Sequence, residues 1–208
     1  LPENMTSLIH FTRIFLISLL IIVTPLQAGA TTVLPVSLQQ MSATAEFIFL
    51  GKVISNDTRI DDMSGQIATF TTFEVLQAVK GKPGTTHTIK QIGGQLPGSD
   101  YHLVIKGVPR FYLGKEYIVF LPEQSSLGFS SPIGLSQGKF DVLEKTEGKV
   151  VSNGRAAASL VGKTPSNTTP QLPSGIEIRS HSLEPVNGSS SQIRMDDFMQ
   201  TVSGMINE

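Results

Sequence analysis

Cysteine is absent from all 208 residues. Its absence excludes disulfide staples, thiolate nucleophiles, cysteine-ligated zinc and a lipid anchor on an N-terminal cysteine. The fold must therefore be held by its core alone. Histidine is scarce, with four in the chain, and no H-E-x-x-H pair is present. No G-x-S-x-G elbow occurs, so a serine hydrolase of that type has no support. Lysine and arginine never gather into a block and the formal net charge is -1, which leaves no electrostatic footprint for nucleic acid. Gly93, Gly94 and Gly98 are not followed by Gly-Lys-Ser/Thr and open no helix, so they read as a turn rather than a phosphate cradle. No cofactor and no metal are expected.

Long apolar runs are almost absent as well, and the one exception sets the compartment. Arg13 precedes the unbroken run Ile14-Phe15-Leu16-Ile17-Ser18-Leu19-Leu20-Ile21-Ile22-Val23, then come Pro25 and Ala28-Gly29-Ala30. A basic lead, an apolar core and an A-x-A site in that order make an export signal. The core is shorter than the roughly 20 residues of a bilayer span. Residues 1–30 are accordingly expected to be removed after Ala30, with Ala28 as the competing site and Met5 read as the start; a membrane association would come only through an uncleaved signal. An exported chain without cysteine points to a bacterial periplasm or exterior. Its four Asn-x-Ser/Thr matches, at Asn4, Asn56, Asn167 and Asn187, are treated as chance in so Ser- and Thr-rich a chain.

The remainder has the length of one domain. Ser37 and Gln40 form a capping box, and Leu38, Met41 and Ala45 make one apolar stripe, so a short helix opens it. Strand patterns follow at 47–54, 68–79, 86–92, 101–105, 116–122, 137–144 and 149–152, punctuated by Gly and Pro turns. Gly51 predicts a bulge or bend, and slipped alternation predicts another between Phe70 and Phe73. Asn56, Asp57, Asp61, Asp62 and Gly65 predict a solvated turn without the ligand spacing of a calcium loop. The fold class expected is mainly β: a small antiparallel OB-like barrel over 31–160 with Phe49, Val53, Phe73, Val75, Ile89, Ile118, Phe120, Phe140 and Val142 in its core. Residues 161–192, rich in Ser, Thr, Pro and Gly, form a flexible connection. Residues 193–208 form an amphipathic helix, with Asp196 and Asp197 in its first turn and an apolar stripe centred on Phe198.

Several stretches carry a resemblance. Leu38-Gln39-Gln40-Met41 leading into Ala45-Glu46-Phe47-Ile48-Phe49-Leu50-Gly51-Lys52-Val53, Phe73-Glu74-Val75-Leu76-Gln77-Ala78-Val79-Lys80-Gly81, the run from Gly107-Val108-Pro109 to Val119-Phe120-Leu121, Gly134-Leu135-Ser136-Gln137-Gly138-Lys139-Phe140 and Met195-Asp196-Asp197-Phe198 resemble a family of exported bacterial proteins of uncharacterised function. These motifs speak to architecture rather than activity. More distantly, the strand order resembles the OB-type netrin and metalloproteinase-inhibitor modules. Those inhibitors place an N-terminal cysteine on the target's zinc; this chain has none, so no inhibitory residue is carried over.

The leading functional expectation is an exported, non-enzymatic binding domain for a protein or glycan partner, with an inhibitor-like role as one form of it. Its candidate binding residues are Gly93, Gly94, Tyr101, Lys106, Arg110 and Tyr112, a loop and a basic-aromatic patch of the kind that barrel faces present to ligands. The alternative is a hydrolase, which requires His87, Asp100 and His102 to converge from the third strand and the loop beyond it.

Overall fold

A computed structural model describes residues 34–154 and 192–207. The expected export signal, residues 1–30, and residues 161–191 of the expected connection lie outside the described residues. Helix α1 spans Leu38–Thr44, and its capping box is formed: Ser37 Oγ accepts from Gln40 N, and Ser37 N donates to Gln40 Oε1. Lys80 Nζ closes the other end by donating to the carbonyls of Ser42 (2.8 Å) and Ala43 (3.0 Å). A cation there also complements the negative end of the helix dipole. Leu38, Met41 and Ala45 are buried, as one stripe requires.

Two 14-residue strands, β1 (Phe47–Ile60) and β2 (Ile67–Lys80), form a long hairpin. Its tip is narrower than the sequence suggests. Asn56 and Asp57 continue β1 because Thr71 and Phe70 pair with them across the ladder. Both expected irregularities are present: the register shifts between Leu50 and Gly51, where Leu76 is the extra residue of β2, and between Val53 and Ser55, opposite Phe73 and Thr72, where Ile54 is the extra residue of β1; a further shift, at Val79, was not expected. Extra residues on alternate sides coil the hairpin. Gly51 sits where the strand crowds its neighbours. A Cβ there would lie 2.9 Å from the Phe49 ring and 3.1 Å from Phe73 Cβ.

The remaining strands are β3 (Thr86–Ile92), β4 (Gly94–Gln95), β5 (His102–Leu103), β6 (Glu116–Leu121), β7 (Lys139–Lys145), β8 (Gly148–Ser152) and β9 (Ile193–Arg194). A 3-10 turn at Leu135–Gly138 leads into β7. Helix α2 (Met195–Ile206) follows β9 directly. Seven strands make one antiparallel sheet in the order β3-β2-β1-β6-β7-β8-β9, and β4 with β5 forms a separate small pair. The fold is thus mainly β with two helices among the described residues. Among those residues no ladder joins β3 to β9, so the sheet is open where a closed or nearly closed barrel was expected.

Both faces of this open sheet are covered, which is why the expected core residues do not share one interior. Ile118, Phe120 and Phe140 face the helices together with Ile48, Leu50 and Val151, and there meet Leu38, Met41, Phe198 and Val202. Phe49, Val53, Phe73 and Ile89 occupy the opposite face with Phe111, Tyr117, Val119 and Leu121. Val75 and Val142 are only partly buried, one against each core. Helix α2 belongs to the domain: β9 pairs with β8, and the Phe198 ring lies 4.6 Å from Phe140 and 6.3 Å from Phe120, centroid to centroid. No described helix is long and apolar enough to cross a membrane.

Candidate functional site

The face opposite the helices changes character along the hairpin. Near the β6 end it is aromatic: Phe73 meets Phe49 edge-on, and Phe111 stands edge-on to both Phe73 and Tyr117 at 5.1 Å. Two residues further along each strand the same face turns to uncharged polar groups. Side chains alternate across a strand, so Asn56 and Thr58 of β1, Thr69 and Thr71 of β2, and Gln91 of β3 share this face. The loop from Gly93 to Tyr112 crosses in front of them. A cleft of about 320 Å³ remains between loop and sheet.

The polar wall has a definite hydrogen-bond order. Thr69 Oγ1 donates to the Gly93 carbonyl at 2.7 Å. A hydroxyl has one proton, so in the 2.9 Å contact between Thr58 Oγ1 and Thr69 Oγ1 the donor is Thr58. Thr71 Oγ1 donates to Asn56 Oδ1 at 2.7 Å, and Asn56 Nδ2 donates to the Phe111 carbonyl at 3.0 Å. The wall therefore holds both ends of the loop, Gly93 at one side and Phe111 at the other. Gln91 is the exception. The residue is 4% exposed, it lines the cleft, and its Nε2 is buried with no hydrogen-bond partner among the described residues.

Of the residues predicted from sequence, Gly93, Gly94, Arg110 and Tyr112 line the cleft. The two glycines act by allowing close approach. A Cβ on Gly94, whose φ is +132°, would come within 2.3 Å of Thr69 Oγ1 and 2.6 Å of Thr58 Cγ2. Arg110 and Tyr112 are exposed at the mouth, and the Tyr112 amide is fixed by donating to Tyr117 Oη at 3.1 Å. Tyr101 and Lys106 are exposed but do not line the cleft. Tyr101 belongs to the turn joining β4 to β5, where its carbonyl accepts from Leu96 N. The polar wall itself was missed. Its sequence signal is a period-two row, Asn56-x-Thr58, Thr69-x-Thr71 and Ile89-x-Gln91, which in β2 continues the face of Phe73 and in β1 is set out of phase with Val53 by the extra residue Ile54.

His87, Asp100 and His102 are not brought together. His87 lies near the start of β3, packed on the rings of Phe47 (4.9 Å) and Phe49 (5.3 Å). Burial pushes its pKa below the usual 6.5, against a smaller opposing effect of a hydrogen bond to the Pro83 backbone. His102 lies beyond the far end of the strand, exposed, with Nδ1 3.3 Å from the Asp100 carbonyl. At about 3.3 Å per residue, the five steps from His87 to Ile92 alone span roughly 17 Å. Among the described residues no three His, Asp or Glu side chains form a set able to hold a metal ion.

The hairpin tip also departs from expectation. Asp61 is buried rather than solvated. It pairs with Lys90 Nζ at 2.9 Å, their side chains 7% and 8% exposed, and Oδ2 accepts from both the amide and the hydroxyl of Ser64. The Ser64 hydroxyl and then Lys90 hold its carboxyl below the usual carboxylate range. Lys90 Nζ also lies 4.7 Å from the Phe129 ring centroid. Asp57 pairs with Arg59, whose guanidinium covers Phe70 at 3.7 Å. Lys90 points to the sheet face opposite Gln91, so this ion pair braces the strand that carries the cleft floor. No protein-family model matches the chain, and no curated protein is similar to it.

Proposed function

We propose that this chain is an exported, non-enzymatic binding domain, and that the cleft between the sheet face and the 93–112 loop receives its partner, a protein or a glycan. The sheet is read as an opened OB-type arrangement, in which ligands sit on the sheet face. One observation carries the proposal: a concave site of about 320 Å³ lies between the sheet face and the loop, and Gln91 in its lining keeps a buried side-chain nitrogen without a hydrogen-bond partner among the described residues. Buried polar groups are nearly always paired, and an orphan in a cleft marks a place where a ligand completes the set. Its size lies at the lower end of the small-ligand range. Arg110 and Tyr112 at the mouth supply one cation and one aromatic ring.

Screening the purified exported protein against a glycan array and against defined exported proteins tests the reading, with the double variant Arg110→Ala and Tyr112→Ala run beside it. Both residues are exposed, so the fold should not change. A partner whose binding is lost in the variant supports the cleft. Partners that bind the variant as well as the wild type place recognition elsewhere and overturn it.

A further inference from the structure

We propose that the rim of the cleft docks on an anionic lipid bilayer, two apolar turns entering the interface while the cations beside them meet the headgroups. This is a contact of the folded domain itself, beyond the one an uncleaved export signal would make. It does not depend on what the cleft receives.

Two turns build the rim. In Ile105-Lys106-Gly107-Val108 the last amide donates to the first carbonyl at 3.3 Å, and in Tyr112-Leu113-Gly114-Lys115 at 3.1 Å. The third residue of each is a glycine at positive φ, +89° and +77°, which glycine adopts without strain. Val104, Ile105, Arg110 and Tyr112 all line the same cleft, so both turns belong to its mouth. Their apolar side chains stay outside the core: Val104 is 61% exposed, Tyr112 60% and Leu113 67%. The backbone beneath the second turn is nevertheless fixed. The Gly114 amide donates to the Val53 carbonyl at 2.8 Å, and the Val53 amide donates to the Lys115 carbonyl at 2.9 Å. Asn56 and Tyr117 hold the neighbouring Phe111 carbonyl and Tyr112 amide. Apolar tips on a fixed backbone give up little conformational freedom on binding. Gathered at one place, they mark a surface that meets another.

Charge identifies the other surface. Residues 101–115 carry three of the sixteen cations, Lys106, Arg110 and Lys115, and none of the seventeen acids. All three cations are exposed, and no ion pair joins them to another described residue. Of the acids flanking the segment, Glu116 is already paired with Lys149 at 2.6 Å. The rest of the chain has more acids than cations, so a negative surface draws this rim toward itself. A second copy of the chain does not suit: two-fold pairing of the patch would set its cations against their own copies. A protein partner needs a shaped pocket for each tip, whereas a fluid interface takes apolar tips of any shape. Apolar insertion and attraction to anionic lipid are the two contributions to interfacial binding. Tyrosine at headgroup level with lysine and arginine beside it is the composition such interfaces favour.

Co-sedimentation of the purified exported protein with vesicles tests the proposal. One set is phosphatidylcholine alone and the other equal parts phosphatidylcholine and phosphatidylglycerol. N-terminal sequencing first confirms that the apolar segment 14–23 is gone, since it would bind vesicles by itself. The expected result is binding to the anionic vesicles that weakens steeply with added salt, and little to the neutral ones. Lys106→Ser with Lys115→Ser should weaken it about twentyfold, near fivefold for each cation. Leu113→Asp should weaken it by roughly tenfold or more. These three residues are exposed and do not line the cleft, so the urea midpoint and the binding of soluble partners should both hold. That separates failure here from failure of the cleft reading. Val104→Ser replaces Leu113→Asp should the latter fold poorly. Absence of vesicle binding at low salt overturns the proposal and leaves an acidic protein as the partner of the patch. Equal binding to both vesicle types overturns the role of charge, and binding unchanged in the variants places the contact on another face.

Discussion

The two faces of the sheet are built from the same strands and end differently. The helix side closes completely: Ile48, Phe120, Phe140 and Phe198 are wholly buried, and α2 lies across them as a lid of the core. The loop side starts with an equally dry cluster around Phe49, Phe73 and Phe111. It then gives way within one strand step to Asn56, Thr71 and Gln91, where the covering loop stands off. The first face shows what this chain does to be stable. On the second, polar groups occupy positions that apolar side chains could fill, and one of them, Gln91 Nε2, has no partner among the described residues. Local conflict of that kind is expected where function, not folding, selects the residue.

The largest effects of breaking this contrast belong to the sealed face. Phe120→Ala removes a fully buried ring and should lower unfolding free energy by about 3–5 kcal/mol; an unmoved urea midpoint would refute the core. Phe198→Asp places an unpaired charge against Phe140 and Phe120 and should destabilise strongly. Stability retained in that variant would show that α2 does not seal the face.

A smaller effect is expected at the brace beneath the cleft. Lys90→Met leaves the Asp61 carboxylate without its cation, and adding Asp61→Asn should recover part of the loss. A double-mutant cycle in urea measures the coupling, and purely additive effects would show the pair contributes nothing.

The smallest effect is a pH dependence. The folded state holds His87 below its usual 6.5, so the unfolded chain binds more protons just under that pH. Stability is then full above about 6.5 and declines as pH falls from there to the folded pKa. His87→Phe should flatten that part of the profile. An unchanged slope would assign it to other groups.

Much of this contrast could be read from the sequence, but unevenly. Helix α1 was legible because Ser37 and Gln40 are local partners, and α2 because its apolar stripe has one period over its length. β3 was legible from end to end, since alternation and the flanking turns agree. What failed was long-range. Nothing local tells Phe49 and Phe120 that they lie on opposite faces of one sheet, so both were assigned to a single barrel interior. The Asp61–Lys90 pair joins residues 29 positions apart, and an aspartate in a turn pattern reads as solvated. In the cleft, the loop glycines and the mouth residues Arg110 and Tyr112 were visible as punctuation and as a patch. The floor was not, because Thr and Asn on a strand look like a solvent face until the loop above them is placed.

The stability of Gln91→Leu tests the central claim most directly. If Gln91 is kept for a ligand, removing its orphaned buried amide takes nothing from the fold, and the urea midpoint should hold or rise, by up to about 1–3 kcal/mol in unfolding free energy. A loss of more than about 1 kcal/mol would mean that the amide serves a partner within the fold, and the cleft floor would then be structure rather than site.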